Sequence, residues 1–168
     1  MAKADSTFIY VATYPDEMTA RDDYRVVKDL HSGGLVGAYD AAVVTKDLKG
    51  KVHENKDETA TRHGAWWGVA AGAAVGVLFP PSVLVSAAAG GVIGGVSGHL
   101  AKGMSRSRAR ELGDVIDPGQ AGLIVVGESK VGPAIQEAVT RAEKETAEQL
   151  DVDPQHIDRA LHQAVTDM

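Results

Sequence analysis

The chain has 168 residues, a net charge of −6 at pH 7, 19 glycines and no cysteine. That length holds one compact domain, or one domain with an insertion, and leaves no room for a two-domain enzyme. The negative balance is the wrong sign for binding nucleic acid over the whole surface. The missing thiols exclude a disulfide framework, a thiolate zinc site, an iron–sulfur cluster and a cysteine nucleophile.

The first residues, Met1-Ala2-Lys3-Ala4-Asp5, are polar and lack the apolar core of a signal peptide, so no targeting segment is expected there. Thr7 to Tyr14, TFIYVATY, is β-branched and aromatic and predicts a strand. Pro15-Asp16-Glu17 suits a helix N-terminus, and Ala20, Tyr24, Val27 and Leu30 recur at helical spacing until Gly33-Gly34 ends the pattern. Leu35 to Thr45 predicts a second strand, Lys49-Gly50 a turn, and Lys51 to Asn55 a short third strand whose register is weakly specified.

From Gly64 to Leu100 the chain carries no Asp, Glu, Lys or Arg. Pro80-Pro81 divides this stretch, because neither proline can continue a helix, so it reads as a helical hairpin with Phe79, Pro80 and Pro81 at its tip. Gly64, Gly68, Gly72 and Gly76 recur every four residues, as do Gly90, Gly94 and Gly98. On a helix each set forms a stripe without side chains, where a second helix can approach closely. Each such glycine costs up to about 1 kcal/mol of helix propensity in water, so the pattern pays only where packing or lipid recovers the loss. Both arms are near the length of a bilayer crossing, yet their large aliphatic and aromatic residues contribute only about −2 and −3 kcal/mol of insertion free energy. The flanks favour a membrane: Trp66 and Trp67 suit an interfacial belt, and Lys102, Arg106, Arg108 and Arg110 follow as a basic run suited to anionic headgroups.

After the apolar stretch, Ser105 to Val115 predicts a basic helix, Asp117-Pro118-Gly119 a turn, and Ala121 to Gly127 a buried strand. Pro133 to Leu150 predicts a helix with Ile135, Ala138, Val139 and Ala142 on one face. Pro154 to Thr166 predicts another, capped by Asp153, with Ile157, Ala160, Leu161, Ala164 and Val165 on one face. The expected class is therefore α+β, a ferredoxin-like split βαβ sheet with the glycine-zipper hairpin inserted between the third strand and second helix. In this division residues 1–63 and 102–129 form the sheet domain, 64–101 the hairpin, and 130–168 a C-terminal extension of two amphipathic helices.

Little in the sequence points to catalysis. None of the six histidines has a histidine partner at helical spacing, and no serine sits in a nucleophile-elbow pattern. Gly90-Gly91-Val92-Ile93-Gly94-Gly95 lacks the strand and the Lys-Ser/Thr ending of a phosphate-binding loop. No catalytic residue, metal site or cofactor is expected. His99 reads as an interfacial or subunit-contact residue, with proton sensing as the alternative.

Tyr39-Asp40-Ala41-Ala42-Val43-Val44, the Gly64-Ala65-Trp66-Trp67-Gly68 opening of the apolar stretch, and Asp117-Pro118-Gly119 before Leu123-Ile124-Val125-Val126 together resemble a bacterial family, domain of unknown function twelve sixty-nine. The resemblance covers about Thr7 to Ser129. It implies a predicted membrane protein and carries no activity. The expected function is accordingly non-enzymatic: a self-associating protein that inserts in or leans on the inner membrane from the cytoplasmic face, in envelope stress or scaffolding. Two alternatives stay open. One is a soluble cytoplasmic homo-oligomer, a ring or shell with the hairpins in its interior seam; the other is a small-ligand or regulatory module using the sheet face.

Overall fold

The computed structural model describes residues 7–32, 39–55, 78–79, 105–128 and 132–150. They form an α+β unit with a five-stranded antiparallel sheet and three helices. In chain order these are β1 (Thr7–Tyr14), α1 (Glu17–Ser32), β2 (Tyr39–Lys46), β3 (Val52–Asn55), α2 (Arg106–Asp114), β4 (Ala121–Glu128), α3 (Gly132–Ala138) and β5 (Lys144–Leu150).

The spatial order is β3-β2-β4-β1-β5. β4 lies between β1 and β2 and pairs antiparallel with both, from Thr7↔Glu128 to Tyr14↔Ala121 on one side and Tyr39↔Gly127 to Thr45↔Ala121 on the other. β1 and β2 therefore run parallel, with β4 between them and α1 connecting them. By the same logic β4 and β5 run parallel on either side of β1, connected by α3.

Local chemistry accounts for most element ends. Asp16 caps α1, its carboxylate accepting from the Thr19 backbone N–H and hydroxyl, each at 2.8 Å. Ser105 caps α2 through its hydroxyl oxygen, which accepts from the Arg108 N–H at 3.2 Å. The β2–β3 turn ends on Gly50, whose φ of 84° is cheap only for glycine. Gly119, at φ 88°, does the same before β4, and its N–H donates to the Lys46 carbonyl at 2.7 Å, tying this turn to the end of β2.

The sheet is buried on both faces. Phe8, Tyr10, Ala12 and Tyr14 of β1 share one face with Ala41, Val43, Leu123 and Val125, and Ala20 and Val27 of α1, Ile135 of α3 and Val139 just after it cover that face. On the other face Ile9, Val11, Val44, Ile124 and Val126 are equally hidden from solvent. Ile116 lies on this second face over Gly122, where an added Cβ would collide with the Ile116 side chain.

Several sequence expectations need correction. The helix expected over Pro133–Leu150 stops at Ala138, and Lys144–Leu150 is instead a strand, seven residues paired with β1. Ile135 and Val139 satisfy the helical apolar pattern; beyond them the open edge of β1 supplies backbone partners that outweigh the helix propensity of Lys, Glu, Ala and Gln. β5 thus adds to the sheet a segment expected in a helical extension. Of the strand expected from Leu35 to Thr45, the described part is Tyr39–Lys46; residues 33–38 lie outside the described set. The expected third strand is an edge strand beside β2, while the strand at Ala121–Glu128 is central. The helix expected over Pro154–Thr166 lies outside the described residues.

Candidate functional site

The middle of the uncharged stretch meets the folded unit at α2. Ala109, Leu112 and Gly113 form the buried side of this nine-residue helix. Leu78 and Phe79 are buried against it, 2% and 4% exposed. At Gly113 an added Cβ would lie 2.6 Å from the Leu78 carbonyl oxygen and 3.1 Å from the Phe79 ring. Backbone cannot yield at such a distance as a flexible side chain would, so the absence of a side chain at Gly113 is what admits Leu78 and Phe79.

Lys46 closes the far side. Its ammonium donates to the Ile116 carbonyl oxygen at 2.8 Å and stands 5.8 Å from the centre of the Phe79 ring, within cation–π range. This lysine is the last residue of β2, and Ile116 follows α2, so one side chain joins the strand end, the α2–β4 connection and the aromatic ring.

Two cations flank this seat. Arg106 and Arg110 stand seven and three residues before Gly113, at the edge of the buried side of α2, and both are exposed, while the side of the helix away from the seat carries Ser107, Glu111 and Asp114. Arg108, also exposed, lies on the opposite flank and pairs with Glu111 at 3.1 Å.

Of the residues singled out from sequence, the structure thus brings Phe79, Arg106 and Arg110 to one helix and places Arg108 on its other flank. Gly64, Gly68, Gly72, Gly76, Gly90, Gly94, Gly98, Trp66, Trp67, Pro80, Pro81 and Lys102 lie outside the described residues, as do His63, His99, His156 and His162. Among the described residues, no helix is long and apolar enough to cross a membrane, and no group of three His, Asp or Glu is gathered as a metal ion would require.

A second polar constellation lies on the first sheet face and was not foreseen. Asp23 of α1 is fully buried and accepts from the Tyr14 hydroxyl at 2.9 Å, the Arg141 backbone N–H at 3.1 Å and the Arg141 guanidinium at 2.8 Å. Tyr10, on the same face with Ala12 between it and Tyr14, donates its hydroxyl to Glu145 at 2.5 Å. Burial pushes both tyrosines up from their ordinary value, with the carboxylate each one bonds adding to the effect, so both stay protonated as donors. The Asp23 carboxylate raises the Arg141 guanidinium further. These bonds tie β1 and α1 to the α3–β5 connection and to β5. The groups are occupied with one another, which makes the cluster a brace. Sequence offered no signal for it, since Asp23 and Arg141 are 118 positions apart.

His53 is the one histidine whose side chain is described, and it faces Asp47 at 3.2 Å across the β2–β3 turn, an ion pair only when the imidazole is protonated. Asp47 is held below the usual carboxylate range, first by the Lys51 N–H and then by His53. Asp47 also accepts from the Lys49 N–H, so this pair organises the turn.

A family model described as "Protein of unknown function (DUF1269)" matches residues 65–162, more than half of the chain. The chain belongs to that family. The match begins later and runs further than the resemblance read from sequence, taking in α3 and β5. No curated protein and no solved structure matches the chain.

Proposed function

We propose that this member of the DUF1269 family is a non-enzymatic, self-associating protein that leans its uncharged stretch on the cytoplasmic face of the inner membrane, with α2 toward the lipid. One observation carries this reading: the midpoint of the stretch, Leu78-Phe79, is seated on the helix that exposes Arg106 and Arg110 at the edge of its buried side. Apolar surface beside cationic side chains is what an anionic bilayer surface attracts, at about 1 kcal/mol for each basic residue near the headgroups. The seating at Phe79 favours leaning over crossing. A hairpin whose first arm of 16 residues spans roughly 24 Å as a helix would carry its tip far from α2.

We read the sheet as ferredoxin-like. β1-α1-β2 and β4-α3-β5 are its two split βαβ halves. On this reading the insertion falls between β2 and β4 and comprises β3, residues 56–105 and α2. It is larger than the hairpin alone, and it emerges at the β3 side of the sheet. The glycine stripes serve contact between copies once the stretch is gathered at the surface.

The test is co-flotation of the full chain with phosphatidylcholine vesicles, with and without phosphatidylglycerol, followed by a carbonate wash. Leaning predicts flotation with the anionic vesicles alone and release by carbonate. Retention through the wash would support insertion instead. A discrete multi-subunit species that floats with neither vesicle would replace this reading with the soluble assembly.

A further inference from the structure

We infer that the second sheet face is the docking surface for the chain's own C-terminal segment, residues 154–166, which lies along β1 and β4 as a helix and closes that face within one copy. The docking does not depend on a membrane, and it gives the shelter of this face to a part of the chain other than the uncharged stretch.

Ile9, Val11, Ile124 and Val126 are between 0% and 2% exposed in a single copy of the chain. Pairing sets them side by side: Ile9 stands opposite Val126 and Val11 opposite Ile124, with Thr7 and Thr13 at the two ends of the same row on β1. α1 and α3 lie on the other face, and Ile116 covers this one at Gly122, beside Thr13. Branched apolar side chains stay this dry only under a packed layer, and the Thr7 end of the row is where that layer is needed.

The C-terminal segment fits that place by position, length and pattern. β5 ends at Leu150, paired with Thr7, so the chain leaves the sheet at this end with 18 residues still to come. From Leu150 to Pro154 it can reach at most about 14 Å, enough to climb from the sheet edge to a layer about 10 Å above it. Asp153 stands where an N-cap is wanted and Pro154 at the first helical position. As a helix, Pro154 to Thr166 is about 20 Å long, and the row from Thr7 to Thr13 is about 20 Å as well. Ile157, Ala160, Leu161, Ala164 and Val165 share one side of that helix, with Gln155, Arg159, His162 and Gln163 on the other. This is the one-sided pattern of a helix laid on a sheet, and its two alanines allow close approach to the large side chains of β1 and β4.

The uncharged stretch is less suited to this face. From Gly64 to Leu100 it has no charged residue to turn to water, so it lacks the wet side that a covering helix needs. Its described midpoint, Leu78-Phe79, meets α2 at Gly113, and α2 leads into Ile116 at the Gly122 end of the face, the end away from Leu150.

The chain has no cysteine, so introduced pairs read the contact without background. In the full chain Val11→Cys is combined in turn with Ile157→Cys, Leu161→Cys and Ala164→Cys, and each protein is oxidised mildly at low concentration. At least one pair should close within the chain about tenfold or more faster than Val11→Cys with Met18→Cys, whose exposed partner stands on the helix covering the opposite face. Thr13→Cys, nearly isosteric, replaces Val11→Cys if that variant fails to fold. Closure of none of the three pairs above the control rate would overturn the docking. Cross-links between copies, formed when singly substituted Val11→Cys and Leu161→Cys chains are mixed, would overturn it in favour of a second copy. Faster closure with Val75→Cys than with any of the three would overturn it in favour of the uncharged stretch. The pairs are read without vesicles, so the outcome is separate from that of the flotation test.

Discussion

The two faces of the sheet are equally dry and differently built. The first is closed by α1 and α3, two amphipathic helices, and finished by a polar brace in which Tyr14, Asp23 and Arg141 satisfy one another. The second presents Ile9, Val11, Val44, Ile124 and Val126, and the Ile116 side chain lies over it at Gly122. One stray hydroxyl, that of Thr13, is buried on this face with no hydrogen-bond partner among the described residues. Polar cross-links fix the first face, whereas shape and glycine govern the second.

Truncating matched residues on the two faces gives the sharpest comparison. Leu123 and Ile124 are neighbours on β4, both fully buried, and they point to opposite faces. Each changed to Ala should cost about 2–5 kcal/mol in denaturant unfolding. An Ile124→Ala cost below about 1 kcal/mol would show the second face to be loosely covered.

Next comes the brace. Asp23→Ala strips the Tyr14 hydroxyl and the Arg141 N–H of their acceptor. Arg141 reaches water through its half-exposed side chain, so the expected loss is about 2–3 kcal/mol, at or just below the range for breaking a buried pair. A loss no greater than a surface substitution would mean the network holds nothing together.

Alkali should act on the first face as well. Tyr10 and Tyr14 have folded values raised above the ordinary 10.0, so the stability they confer is fully present below that pH and is lost as pH rises beyond it. Unfolded tyrosines lose protons there while these two cannot, giving a slope of about 1.4 kcal/mol per pH unit for each. Tyrosinate absorbance should show two of the four tyrosines titrating only as the protein unfolds. Smooth titration of all four in the folded state would contradict their burial.

The smallest effect has the opposite sign. Thr13→Val replaces a buried hydroxyl that has no partner among the described residues by a methyl group of similar shape and should stabilise by about 1 kcal/mol. Destabilisation would mean that the hydroxyl has a partner on the second face.

How much was legible in the sequence follows the same division. β1, α1, α2 and β4 were readable because local signals agreed: a β-branched run, acidic and serine caps, and glycine turns at Gly50 and Gly119. β5 was not, because KETAEQL has no apolar alternation and is a strand only through the free edge of β1. The Asp23–Arg141 brace was invisible for want of any local pattern. Phe79 was singled out in the sequence as the tip of a hairpin. Its seat on Gly113 was hidden, since a glycine inside a short basic helix looks like a weak point until its neighbour is known.

The most direct test of the central claim uses the two tryptophans, Trp66 and Trp67, as depth gauges. Their fluorescence is recorded on anionic vesicles whose lipids carry bromine either near the headgroup or near the chain terminus. A protein that leans on the surface should be quenched by the shallow bromines and spared by the deep ones. Equal or stronger quenching from the chain terminus, or no quenching by either, would contradict it.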